Sequence, residues 1–381
     1  MKARSMLLAQ IESSVEGIVQ ALNGLKPDKL DSALLERIQA RFENDLKRSL
    51  NKLVQLRDSV KQLGDDGSLE LPWGQLNNLR AGAAPVLEEC LAFIEGALTR
   101  SQGVDGGLCR VTDSMLYELS RRTDIGWNRF TILAAGEFFA SISGIIRINF
   151  PDLTFWNLPV AAHEFGHYVA ANLKDPALRA MIDREKRTEP KYEAHLNEHF
   201  ADLFATYTMG PCFGLACGLV RFSPASAFQR SATHPSFAHR VWWIVEALRS
   251  IEQLRGGPPL YDYIAGELEK SWQASLSAAG QNTQMEIEDT RRLRGWLAEM
   301  LEIVDGNLAG ALYGGWLRAQ ALAASFRAKE VPALTRTDRI PDVLNAIWLC
   351  RSEQETADAY QISWLADKGF ELCKQMVKDC D

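Results

Sequence analysis

From Ser32 to Leu63 the apolar residues Leu35, Ile38, Phe42, Leu46, Leu50, Leu53, Leu56, Val60 and Leu63 recur every three or four positions, the period of one helical face. Pro27 and Asp31 supply start signals for a long amphipathic helix, and Gly64-Asp65-Asp66-Gly67 supplies a stop. The stripe would serve either as a coiled-coil arm or, more plainly, as a packing face inside a helical bundle. A second helix is predicted over Pro85 to Thr99, and Gln102-Gly103-Val104-Asp105-Gly106-Gly107 reads as a boundary. The pattern then changes. Between Gly144 and Phe150, Ile146, Ile148 and Phe150 alternate with Arg147 and Asn149, which predicts a short strand. Pro151-Asp152 turns the chain, and Asn157 with Pro159 opens a helix, because proline is tolerated where the first N–H has no partner to lose. Gly256-Gly257-Pro258-Pro259 marks a further break. Helical patterns follow over Leu260 to Ala279, Thr290 to Ile303 and Ile340 to Cys350. The expected architecture is mainly α, with an N-terminal helical region 1–103, a central region 104–256 holding the strand, and a C-terminal helical region 257–381.

Composition narrows the class. Hydrophobic residues make up 46% of the 381 and charged residues 24%, which suits a folded chain rather than an extensively disordered one. A net charge of −7, without lysine and arginine clustered among aromatics, argues against a nucleic-acid partner. The apolar runs Phe130 to Ile146 and Met209 to Val220 are interrupted by Glu137 and by glycine and proline, and fall short of the roughly 20 residues that span a bilayer. No transmembrane segment is expected. The basic start, Met1 to Ser5, continues into a sequence broken by Gln10, Glu12 and Glu16, so it reads as a helix rather than a secretion signal. Seven scattered cysteines without C-x-x-C spacing read as reduced thiols, and the expected setting is cytoplasmic.

The chemistry concentrates in the centre. His163-Glu164-Phe165-Gly166-His167 is an H-E-x-x-H sequence, and on a helix its two histidines lie one turn apart on one face, where both imidazoles reach one zinc ion. Glu164 then sits beside the open coordination position as a general base. Five residues alone recur by chance, so the reading requires a third ligand. Glu198, in Asn197-Glu198-His199-Phe200-Ala201-Asp202, is the candidate. Asp202, one turn further on, can hydrogen-bond the far nitrogen of a ligating histidine and fix its tautomer. Two imidazoles and a carboxylate accept other divalent ions as well, but three protein ligands with an open position is the pattern of catalytic zinc.

All six histidines lie between His163 and His239. His195, one turn before Glu198, could ligate or support the metal, although a histidine satisfied within the fold is the plainer reading for it, for His199 and for His239. His234, in Thr233-His234-Pro235-Ser236-Phe237-Ala238-His239-Arg240, stands where a loop enters a helix. It can project into a cleft and donate to a developing oxyanion, or belong merely to a capping loop. Arg240 can orient a site carboxylate, bind a substrate terminus or form a structural ion pair.

At these residues the sequence resembles the gluzincin metallopeptidases, the clan containing thermolysin, through His163-Glu164-x-x-His167 and Glu198-x-x-x-Asp202. His234-Pro235 with Arg240 resembles the H-P-x-x-x-x-R element of the heat-shock HtpX and CAAX prenyl protease family. The likeness covers roughly Gly144 to Arg240. It implies a zincin-like α+β core with a short β-sheet, zinc on His163, His167 and Glu198, base catalysis by Glu164, support from Asp202 and Arg240, and oxyanion assistance from His234. It also implies that the Ile145 to Phe150 strand is a sheet edge along which an extended peptide substrate pairs. Those relatives are membrane-embedded and this chain lacks adequate spans, so their substrates do not transfer. The expected activity is hydrolysis of peptide or protein substrates. A non-peptide zinc amidohydrolase and a zinc-containing helical scaffold or regulatory protein are the alternatives, and Glu164 speaks against the scaffold because a structural site needs no base.

Overall fold

The computed structural model describes residues 3–24, 42–63, 68–127, 130–134, 138–140, 145–149, 154–255, 261–281, 285, 287–353 and 359–377. Over these residues the chain is mainly helical. Packing divides it into two compact units, Met1–Gly106 with Ile132–Gly136, and Gly107–Thr131 with Glu137–Asp381.

The first unit is built on α1 (Ala3–Gly24), α2 (Asn44–Gln62) and α3 (Glu70–Ser101). Leu46, Leu53, Leu56 and Val60 of α2 are buried, and α2 packs against both α1 and α3. The described part of the apolar stripe is therefore a bundle face. The part of the predicted helix before residue 42, its start signals and its Gly64–Gly67 stop lie outside the described residues. The second predicted helix begins earlier than Pro85, which stands inside α3. Proline there forgoes one backbone hydrogen bond. The helix nonetheless runs on, because Leu76 and Ala83 before it and Cys90, Phe93 and Ala97 after it are all buried. Arg80 ties α3 to α1, donating from Nε to Ser14 Oγ (2.9 Å) and from Nη1 to Gln10 Oε1 (3.0 Å).

In the second unit α4 (Leu108–Thr123) precedes three short strands, β1 (Thr131–Ala134), whose last residues belong to the first unit, β2 (Phe138–Ala140) and β3 (Ile145–Asn149). β2 and β3 pair antiparallel with Phe139 opposite Ile146, and both pack beside α5 (Ala161–Asn172). In the strand order β1–β3–β2 the expected edge strand β3 is instead the middle strand, its backbone already paired on both sides. A 3₁₀ turn, Phe155–Val160, leads into α5 from a fully buried run that includes Trp156 and Pro159. Then come α6 (Pro176–Thr188) and α7 (Tyr192–Met209). Every residue from Glu198 to Met209 is buried, because α7 is covered by α5, by α6, by α8 (Pro211–Ala216) and by α9 (Phe237–Arg255). A helix with no solvent face shows almost no amphipathic pattern. Gly210, at φ 70°, makes the turn from α7 to α8, and a Cβ there would lie 2.4 Å from the Tyr313 ring.

α10 (Asp262–Ala278), α11 (Ile287–Leu308), α12 (Trp316–Arg327), α13 (Ile340–Ser352) and α14 (Ala359–Met376) complete the unit. The regions expected as 104–256 and 257–381 thus share one body from Glu137 onward. Asn345 on the buried helix α13 shows why. Its side chain donates to Met209 O (2.7 Å) and accepts from Cys212 N (2.9 Å), joining the last helices to the α7–α8 turn. The predicted break at Gly256–Pro259 lies outside the described residues.

No helix among the described residues is long and apolar enough to cross a membrane. Cys90, Cys109, Cys212, Cys217, Cys350 and Cys373 are buried and form no disulfide among the described residues, and Cys380 lies outside them.

Candidate metal centre

The centre is assembled where α5 crosses α7. His163 and His167 stand one turn apart on α5, with ring centroids 4.7 Å apart, and Glu198 reaches them from α7. One ligand atom from each of the three lies within 4.8 Å of the others. Glu198 divides its oxygens between neighbours. Oε2 lies 3.6 Å from His163 Nε2 and 3.3 Å from Arg240 Nη1, while Oε1 lies 3.5 Å from His167 Nε2 and 3.6 Å from His234 Nε2. Ligands of one tetrahedral zinc, at bonds of about 2.0 Å, stand about 3.3 Å apart, so these spacings suit a shared ion.

Two further observations fit a cation here. Glu198 Oε2 is buried without a hydrogen bond. Glu164, Glu198 and Asp202 are all buried at the site beside the guanidinium of Arg240. Buried carboxylates in excess need compensating charge, and a divalent cation supplies it. His163, His167 and Glu198 are the residues that would hold it.

Protonation follows the same charges. Burial works against a charged His163, yet the Asp202 carboxylate, its hydrogen bond to the ring and the nearby Glu198 outweigh it and raise the pKa to about 9, so a proton competes for the place of a cation. Burial, together with His163, lowers His167 to about 4. Glu198 and Asp202 are both penalised by burial, but their cationic neighbours prevail. Asp202 falls to about 2 and Glu198 well below the carboxylate range.

Asp202 sits directly behind the ligands. It is fully buried and accepts His163 Nδ1 at 2.9 Å, which leaves Nε2 of that ring facing Glu198. Arg240, from the first turn of α9, grips the same carboxylate with a two-pronged contact, Nε to Oδ2 at 2.8 Å and Nη2 to Oδ1 at 2.7 Å. With only 6% exposure Arg240 is committed to Asp202 and presents little surface to a substrate terminus. Its guanidinium also lies 4.9 Å over the Phe222 ring, which stacks on Phe237.

Glu164 is buried beside His163 and makes no hydrogen bond or ion pair among the described residues. Burial raises its pKa; His163 opposes this and Glu198 adds to it. His234 is unlike the rest. Its side chain is 62% exposed, at the Glu198 Oε1 side of the site. The other three histidines point elsewhere. His195 Nε2 contacts Ser231 O (3.0 Å), His199 stacks on Trp243 with centroids 4.4 Å apart, and His239 Nε2 contacts Asp289 Oδ2 (3.1 Å).

Sequence reasoning passed over Gly166. A Cβ at Gly166 would lie 2.8 Å from Ala201 Cα and 3.1 Å from Ala201 O, backbone atoms of the facing helix that cannot rotate away. Glycine inside the motif lets α5 approach α7 closely enough for Glu198 to meet both histidines. Gly166→Ala is expected to cost about 1–3 kcal/mol by overpacking and to weaken metal binding as the helices separate. Denaturant unfolding and zinc titration of the variant would check both effects; unchanged zinc affinity would show that the crossing has slack.

Comparison with protein-family models finds no match, and comparison with curated proteins and with solved structures finds no significant one.

Proposed function

We propose that this chain is a zinc-dependent metallopeptidase of the gluzincin type, holding zinc through His163, His167 and Glu198 and hydrolysing peptide bonds with Glu164 as general base. The observation that carries the reading is the meeting of three convergent ligand atoms with an adjacent buried carboxylate that has no structural partner. A structural metal site gains nothing from such a carboxylate. Bound there, zinc supplies Lewis acidity toward a carbonyl oxygen and toward water.

The chain's own residues do the rest. Glu164 takes the proton from the attacking water and passes it to the departing amine. Asp202 accepts the Nδ1–H of His163 and so presents Nε2 toward the ligand position, and Arg240 fixes Asp202 in turn. His234, exposed at the Glu198 Oε1 side, donates to the carbonyl oxygen as it gains negative charge. The strand pair β2–β3 beside α5, with α5 and α7, would form the zincin-like core. Six buried cysteines that form no disulfide among the described residues are in keeping with a reducing, cytoplasmic setting.

Zinc content tests the site directly. The expected result is about one zinc per chain in the parent and in Glu164→Gln, with little in His163→Ala or Glu198→Ala, followed by cleavage of a mixed peptide library by the parent. A parent that binds no zinc, or Glu198→Ala at full occupancy, would overturn the ligand assignment. A zinc-loaded parent that cleaves no member of the library would overturn the peptidase.

A further inference from the structure

His234 is carried by the loop from Phe222 to Ser236, and two neighbouring helices grip that loop. His195, one turn before Glu198 on α7, sets Nε2 3.0 Å from Ser231 O. A carbonyl only accepts, so Nε2 carries the proton and the ring is the neutral Nε2–H tautomer, which burial favours by lowering its pKa. Asp289, near the start of α11, is buried and accepts from Arg230 of the loop (2.5 Å), from His239 (3.1 Å) and from Arg292. Between these grips the loop closes on itself. His234 N donates to Ser231 Oγ (2.8 Å) and Ser231 N to His234 O (3.1 Å), while Ala238 N returns to Ala227 O (2.9 Å). Thr233 Oγ1 lies 2.8 Å from His234 Nδ1. With the hydroxyl donating there, Nε2 keeps its proton and faces Glu198 Oε1 at 3.6 Å.

An exposed imidazole on a surface loop ordinarily has several rotamers open to it, and a loop ordinarily moves. Here Ser231 O and the Arg230 side chain, just before the ring in sequence, are held by two helices, Ala238 N ties the far side of the loop back to Ala227 O, and the ring itself is held at Nδ1. We propose that His195 and Asp289 are positioning residues, a two-point clamp that holds the 222–236 loop so that His234 borders the open side of the ligand triad. The clamp rests on the zinc reading for its purpose, but its geometry can be tested without turnover.

The test uses full-length protein with isotope-labelled histidine, loaded with Co²⁺, whose unpaired electrons broaden ring resonances steeply with proximity. The parent is expected to show broadening at His163, His167 and His234. His195→Phe and Asp289→Ala should each relieve the broadening at His234 and leave it intact at His163 and His167, which also reports that the site remains folded. His195→Gln, which keeps a donor, should restore it, and Asp289→Asn serves as the milder variant if Asp289→Ala fails to fold. Amide exchange at Ser231 and His234 should rise about tenfold in the clamp variants, the effect of losing one net hydrogen bond. Unchanged broadening at His234 in both helix variants would overturn the clamp. If Co²⁺ broadens no histidine, the metal reading has failed on its own, and exchange decides the clamp: tenfold acceleration upholds it and unchanged exchange removes it.

Discussion

Glu164→Gln is expected to lower kcat for peptide hydrolysis by about 10²–10⁴-fold, with KM and zinc content close to those of the parent. Gln has the same shape and cannot take a proton. The carboxylate it replaces has no hydrogen bond or ion pair to lose, so no structural cost accompanies the change. Burial penalises a charge at this position, and a neutral amide removes that penalty. Thermal stability should therefore hold or rise slightly while turnover collapses. That combination separates a proton-transferring group from a structural one, whose loss lowers stability and activity together. Steady-state kinetics, elemental analysis and a thermal melt on the same preparation decide it. Retained turnover would remove Glu164 from the reaction, and loss of zinc would make it a ligand.

The candidate ligand group was legible because helical periodicity is a local rule. Four-residue spacing puts His163 over His167, and Glu198 over Asp202, wherever the helices go. What joins the two pairs is not local. α7 is buried on every side from Glu198 onward, so no stripe in the sequence says which neighbour each face meets. The meeting of α5 and α7 depends on Gly166 against Ala201, a fit visible only when both backbones are in place. The same holds for Asp289, far along the chain from His234, which appears in sequence as an ordinary acidic residue in the first turn of a helix. Arg240 was open to three roles from sequence, and its burial and double contact with Asp202 weigh against the binding of a substrate terminus. Helices α4 and α6 went unread although each presents an apolar stripe, and α6 also has Asp175 as its cap and Pro176 in its first turn. The break at Gly256–Pro259 suggested a region of its own, whereas Asn345 fastens the last helices to the α7–α8 turn. A composition shift marks a loop; only packing tells whether the core continues past it.

Arg240→Met is expected to destabilise the protein by about 3–5 kcal/mol, because it strands a fully buried carboxylate. Asp202 has no exposure to solvent. Its partners are Arg240 and His163, and the latter is also a proposed ligand. Burial alone would raise the pKa of Asp202, and Arg240 is the largest influence holding it down at about 2. Without the guanidinium the carboxylate either takes a proton or draws one onto His163, and a proton on His163 Nε2 excludes a metal from that nitrogen. Zinc affinity should therefore fall along with stability, and the melting temperature by roughly 10 °C. Arg240→Lys should recover only part of both losses, since an ammonium is a point charge and cannot reproduce the two parallel contacts to Oδ1 and Oδ2. The double variant Arg240→Met with Asp202→Leu removes both buried charges and should be more stable than Arg240→Met alone, yet still bind zinc poorly, because His163 then has nothing to orient its ring. Denaturant melts and zinc titrations across these variants separate the two roles. If Arg240→Met melted within a few degrees of the parent, Asp202 would have to be neutral in the folded protein, and the charge balance drawn around the ligand triad would be wrong.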